Sequence, residues 1–220
     1  MLHPARAAGA RSPLAGEVYG TLINLSGRRR FTSQRVVLCA VLASQGRHAA
    51  LQVSKDALAT FRDAHQTLVD GTAELPGVFC EELREAYFGA GAGDKVIRDF
   101  IDLAERTHDA IDAGRRSAAQ LLDELVECAT PLLAVLNHIT QIYEDLARRQ
   151  ASQAKTQLRG VLSDIESIAK QARIVAFNAQ IVASRSNASG REFSVVASEL
   201  TQITSKIDEL VREAVRTSVA

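Results

Sequence analysis

Apolar residues recur at helical spacing along most of this chain, and the places where the rhythm stops divide it into segments. From Leu14 a 3-4 pattern runs through Val18, Leu22, Leu25, Arg29, Thr32, Val36 and Cys39. It predicts a long amphipathic helix whose seam carries Arg29 and Thr32 among apolar neighbours. A second helix is expected over about 48–70, on Leu51, Val53, Leu58, Phe61 and Leu68. Gly71 stops it, and ELPG at 74–77 supplies a turn. A short helix over roughly 78–88 ends at the GAGAG of 89–93, and Asp94 is the expected N-cap of a helix reaching about 113. Residues 1–13 contain Pro and Gly without periodicity and read as a flexible tail.

Past Gly114 the pattern changes scale. Ser117 is placed to cap a very long helix with Leu121, Leu125, Cys128, Leu132, Leu136, Ile139, Tyr143 and Leu146 on one side. Pro131 should bend this helix without ending it, because the periodicity resumes at once. Apolar spacing continues through Leu158, Leu162, Ile165, Ala169, Ala172 and Ala176 to the polar knot Asn187-Ala188-Ser189-Gly190. Beyond it, Val196, Leu200, Ile203, Ile207, Leu210 and Ala214 follow spacings of 4, 3, 4, 3 and 4, a heptad seam. Two such arms around a knot of residues that tolerate positive φ describe an antiparallel hairpin turning at 187–190. The returning arm is too short to reach residues 117–156, so their seam must be covered by the N-terminal helices or by a second chain.

The expected fold is therefore all-α: an antiparallel helical bundle over 14–150, continuing into a coiled-coil hairpin over 151–220. The abundance of Ala, Leu, Val, Arg, Glu and Gln, with only four prolines and no Trp, agrees with long helices.

Charge changes the picture locally. The chain is formally neutral, which gives no global field for nucleic acid or anionic membrane. Yet residues 1–47 hold seven arginines against one acid, Glu17, without the interleaved aromatics of a nucleic-acid binder. The longest apolar run, VVLCAVLA at 36–43, is far short of the roughly 20 residues of a membrane span. Cys39, Cys80 and Cys128 are far apart and lack CxxC spacing, and Cys39 and Cys128 read as small buried hydrophobes in the reducing compartment of a cytoplasmic protein.

Catalytic chemistry finds little support. GAGAGDK lacks both the preceding strand and the Lys-Ser/Thr of a phosphate loop. His108 and Asp112 stand i, i+4 and read as a solvated pair on a helix surface, while Glu81, Glu82 and Glu85 read as a solvated face. With no nucleophile–base set, no metal cluster and no cofactor motif, an enzyme is not expected. Arginine in the apolar seam asks for more. Arg29 falls on the seam and Arg30 on the adjacent column with Tyr19, Ile23 and Val37. A guanidinium there is costly unless it snorkels, pairs with an acid such as Glu17, Asp63 or Asp70, or meets an anion.

Residues 165–200 resemble the cytoplasmic tip of methyl-accepting chemotaxis receptors. The shared pattern is Ile168-Ala169-x-Gln171, Ala176-x-Asn178-Ala179, Ala183-x-Arg185, then Gly190-Arg191-x-Phe193-x-Val195-Val196-Ala197-x-Glu199. The resemblance implies a homodimer forming a four-helix bundle, whose tip contacts a coupling protein, a histidine autokinase and other receptors. It implies a partner-binding surface of Asn178, Arg185, Arg191 and Glu199, with Phe193 and Val196 as apolar contacts. The chain departs from the pattern where the family has Glu (Val182, Ala188), Gly (Asn187, Glu192) or Asn (Arg173), and 147–158 has no paired methylation site.

INLSGRRRFTSQR (23–35) resembles the sensor module of type IV pili chemotaxis transducers and nitrate/nitrite sensor kinases. The shared residues are Ile23-Asn24-x-x-Gly27-x-x-Arg30 and Ser33-Gln34-Arg35. That resemblance implies an antiparallel bundle over about 14–150 and a small-anion site at a dimer axis, with Arg30 as its ligand and Asn24, Arg29 and Arg35 around it. Together the two resemblances describe a soluble receptor-like transducer whose N-terminal bundle biases a signalling tip. A non-regulating adaptor that joins receptor arrays through the tip is the alternative.

Overall fold

The computed structural model describes residues 14–185 and 190–219, which form six helices joined by short connections. They are α1 (Gly16–Ser44), α2 (Ala49–Asp70), α3 (Glu81–Phe88), α4 (Gly93–Asp112), α5 (Ala118–Ser184) and α6 (Gly190–Val219). No strand forms among the described residues, where one isolated bridge joins Gly71 to Pro76. The chain is all-α. It divides into two compact units, Met1–Arg149 and Gln150–Ala220, so α5 contributes residues to both. Residues 1–13, expected as a tail, lie outside the described residues, as does the expected turn apart from Gly190.

In the first unit α1, α2, α4 and the 118–149 stretch of α5 enclose a core that α3 joins through Leu83 and Tyr87. Each long helix supplies it at 3-4 spacing: Leu22, Val36 and Ala40; Leu58, Phe61 and Leu68; Ile97, Phe100 and Ala104; Leu132, Leu136, Ile139 and Tyr143. Phe61 and Phe100 meet edge to face at 5.3 Å between ring centroids. Burying each large apolar side chain stabilises the unit by about 1.5–3 kcal/mol. Pro131 lies on the exposed side of α5, which continues past it.

Two connections depend on glycine. Gly71 leaves α2 at φ +81, and Val78 N–H returns to the Val69 carbonyl at 3.1 Å. The returning strand of backbone passes so close that a Cβ on Gly77 would stand 2.3 Å from the Val69 oxygen. The GAGAG run is likewise more than a flexible link: Gly93 is buried, and a Cβ there would stand 2.5 Å from the Ala86 oxygen. This packing corrects the expected cap. Ala92, at φ +44, is the N-cap of α4, and Asp94 lies inside the first turn with its carboxylate turned to His65 and Arg98.

In the second unit α5 and α6 pack as two arms. Their mutual seam is made of residues seven apart, with alanine at its centre: Leu162, Ala169, Ala176 and Ala183 in α5, and Ala197, Thr204 and Val211 in α6, all buried. Arg173 and Asp208 form an ion pair across the arms. The bulky heptad stripe read from the sequence is not what joins them. Val196, Ile203 and Leu210 are 62%, 54% and 57% exposed, while Leu200 and Ile207 are half-buried. Adjacent residues on a helix point about 100° apart, so Ala197, Thr204 and Val211 turn inward where Val196, Ile203 and Leu210 cannot. The alanines at 169, 176, 183 and 197 let the two helices approach more closely than a row of larger side chains would.

Candidate functional site

Two regions hold residues that the apolar packing does not explain. The first is a polar layer buried across α1, α2, α3, α4 and α5. Arg29 sits in it with no exposed surface. One guanidinium nitrogen, Nη1, stands 3.2 Å from His65 Nδ1, and Nη2 donates to Ser26 Oγ at 3.2 Å. The guanidinium carbon lies 5.7 Å from the centre of the Tyr87 ring.

The directions of these bonds follow from donor chemistry. A guanidinium only donates, so His65 Nδ1 accepts and its proton is on Nε2, which bonds Asp94 Oδ1 at 3.0 Å. Thr140 donates to the Leu136 carbonyl at 2.7 Å, so in the Ser26–Thr140 contact of 2.8 Å Ser26 is the donor. Every proton therefore points outward from Arg29. His65 is held neutral, its pKa lowered from 6.5 to about 4, by burial first and by Arg29 next, against the opposing pull of Asp94.

Arg29 Nε has no hydrogen-bond partner in this layer, and the buried hydroxyls of Tyr87 and Tyr143 lie against one another. Both tyrosines are fully buried, and burial raises the pKa of Tyr143, with Tyr87 raising it further and Arg29 opposing. A cleft of about 510 Å³ is lined by Arg62, His65, Arg98 and Asp102.

The expected anion residues are not brought together along α1. Asn24 and Arg35 are exposed, Arg30 is half-buried and donates to Asn137 Oδ1 at 3.2 Å, and Arg29 faces the core. At about 100° per residue, Arg29 lies about 140° round the helix from Asn24. Glu17, Asp63 and Asp70 are not the bonded partners of Arg29; those are Ser26 and His65.

Sequence reasoning missed both buried histidines. His65 falls four residues after Phe61 and three before Leu68, on the buried seam of α2, and that spacing was the available signal. His108 was read as a surface residue and is buried: Ser54 donates to the Val36 carbonyl, so His108 Nε2–H donates to Ser54 Oγ at 2.7 Å. Its expected companion Asp112 pairs instead with Lys55 at 3.0 Å. No group of three or more potential metal ligands occurs among the described residues.

The second region is the far end of the hairpin. Asn178, Arg185, Arg191, Phe193, Val196 and Glu199 are all exposed, Phe193 by 68%. Along the arms, Val161, Ile168 and Val175 of α5 and Val196, Ile203 and Leu210 of α6 keep heptad spacing and remain exposed.

Comparison with known proteins gives one directional result. The chain is similar to the methyl-accepting chemotaxis protein NahY of Pseudomonas putida, 27% identical over 201 residues covering 88% of this chain. It spans 36% of that protein's length. No protein-family profile matches the chain, and no solved structure matches it. Among the described residues no helix is long and apolar enough to cross a membrane.

Proposed function

We propose that this protein is a chemoreceptor-like signal transducer and not an enzyme. The observation that carries the reading is its similarity, over 88% of its length, to a protein named for chemotaxis. The hairpin adds physical support. Its arms close on a seam centred on alanine and leave heptad rows of Val, Ile and Leu outward, as half of a four-helix bundle would. A second copy laid against those rows would bury them, and helices of this kind gain most of their stability from such packing.

In this reading the functional unit is a homodimer in the cytoplasm, and the N-terminal bundle expected over 14–150 biases the hairpin expected over 151–220. Asn178, Arg185, Arg191, Phe193, Val196 and Glu199 form the surface that touches a coupling protein and a histidine autokinase. Arg173 replaces the Asn of the receptor pattern with a cross-arm ion pair to Asp208, which ties the arms a little below the tip.

Two measurements test the proposal. Light scattering should give twice the mass of one chain, and Ile203→Asp should return it to a single chain while leaving helicity intact. The immobilised dimer should capture a histidine autokinase and its coupling protein, and Phe193→Ala with Glu199→Ala should release them. A stable monomer, or capture unaffected by the tip substitutions, would contradict the proposal.

A further inference from the structure

Glu81, Glu82 and Glu85, which read in the sequence as a solvated face of α3, line a groove. It holds about 770 Å³ and lies between α3, the GAGAG connection and α5. Small-molecule sites span about 300–1,000 Å³. The α5 side of the groove is apolar. Ala134, His138 and Ile142 follow i, i+4, i+8 spacing and so share one row, with Val135 beside it. Small residues keep the space open. Gly93 sets its backbone against the Ala86 carbonyl and Val135, whereas a Cβ on Gly91 would meet no atom within 4 Å.

Helix stability accounts for only part of the acidic wall. Glu81 and Glu82 lie in the first turn of α3, where the helix dipole favours carboxylates. Each also has a cation, Arg84 at 3.6 Å and Arg149 at 3.0 Å. Glu85 lies in the last turn, where the dipole opposes it. Among the described residues its carboxylate forms no ion pair and accepts the Ala90 N–H at 3.2 Å, a bond that neutral Gln would make equally well. The charge at Glu85 is therefore unmatched within the fold, beside apolar surface.

This combination selects an occupant. An anion would be repelled by the carboxylates, and a second copy of the same face would double their charge. A purely apolar molecule would leave Glu85 unmatched. We infer that the groove binds a small organic cation, an ammonium group carried on an apolar body. The ammonium donates to the Glu85 carboxylate, and the hydrocarbon part lies on Ala134, Val135 and Ile142. Charge-assisted bonds of this kind are the strong ones, and the apolar body gains by leaving water. The groove lies wholly within the first unit, so it stands whether or not the hairpin signals.

The test uses the full chain in low-salt buffer, with pentylamine, hexylamine and heptylamine as probes. Hexanoate keeps the apolar body with the opposite charge, and methylammonium keeps the charge without the body. Calorimetric titration should show saturable binding of the alkylamines, tighter by about two- to fourfold per added methylene and weaker as salt is raised. Neither control should bind comparably. Glu85→Gln keeps the bond to Ala90 and should weaken hexylamine about tenfold, which is about 1.4 kcal/mol. Ala134 is exposed on α5, so Ala134→Lys spares the core, and its tethered ammonium should occupy the groove and abolish binding. Both variants should melt at the temperature of the unmutated chain, which separates lost binding from lost folding. No saturable binding of the amines, equal binding of hexanoate or methylammonium, or binding untouched by both variants would overturn the inference. So would a lysine-rich amphipathic peptide that binds this groove where the amines do not, since the occupant would then be a protein.

Discussion

Acid should unfold the first unit earlier than its carboxylates alone would require. His65 and His108 are both buried neutral, each with a pKa drawn down from 6.5 to about 4. Burial is the larger cause in both; Arg29 adds to it at His65, and Lys55 at His108, with Asp94 and Asp109 opposing. The unfolded chain protonates both near pH 6.5, so between that value and about 4 it binds more protons than the fold. Stability is complete above pH 6.5 and is lost as pH falls toward 4. A gap of about 2.5 units at about 1.36 kcal/mol each gives roughly 3 kcal/mol per histidine. That is a large share of a domain's total of about 5–15 kcal/mol.

The assay is urea unfolding at pH values from 7.5 to 4.5. All three tyrosines, 19, 87 and 143, belong to the first unit, so tyrosine circular dichroism follows that unit alone. Near pH 5.5 the two histidines should contribute a slope approaching about 2.7 kcal/mol per pH unit. His108→Gln keeps a donor for Ser54 and should remove about half of that contribution. Stability that stays flat from pH 7 to 5, or a slope that His108→Gln leaves intact, would refute the buried neutral histidine.

Gly77→Ala should destabilise the first unit by about 1–3 kcal/mol, since its new methyl would meet the Val69 carbonyl backbone; thermal unfolding checks it. Phe61→Ala, deleting a fully buried ring, should cost about 3–5 kcal/mol in urea unfolding. Ala176→Leu should pry the hairpin arms apart, because Ala176 is fully buried between them; faster amide exchange in 165–180 would report it. The Arg173–Asp208 pair is part-exposed, so a double-mutant cycle should assign it less than about 1 kcal/mol.

The helices were legible because apolar periodicity and glycine stops are local facts. The long run into α5, the hairpin arms and the break at Gly71 needed no knowledge of neighbours. What escaped depends on helices distant in sequence. Arg29 was visible on its seam, but its partners come from residues 26 and 65, and the tyrosines that flank it lie on α3 and α5. His108 looked like half of a surface pair because nothing local shows that Ser54 of α2 lies over it. Asp94 has the chemistry of a cap, and it was displaced because Gly93 must pass against the Ala86 carbonyl. On α6 the eye follows the bulky heptad, whereas the arms meet one residue further on, at Ala197, Thr204 and Val211. The bulky stripe was real, and it faces outward.

The proposed function requires the hairpin to act on a kinase. The direct measurement is the autophosphorylation rate of a histidine autokinase reconstituted with its coupling protein, with and without the full chain. The rate should change with the unmutated dimer and return to its starting value with Phe193→Ala/Glu199→Ala or Ile203→Asp. A kinase that binds the chain yet keeps its rate, or one that responds equally to the tip variants, would contradict it.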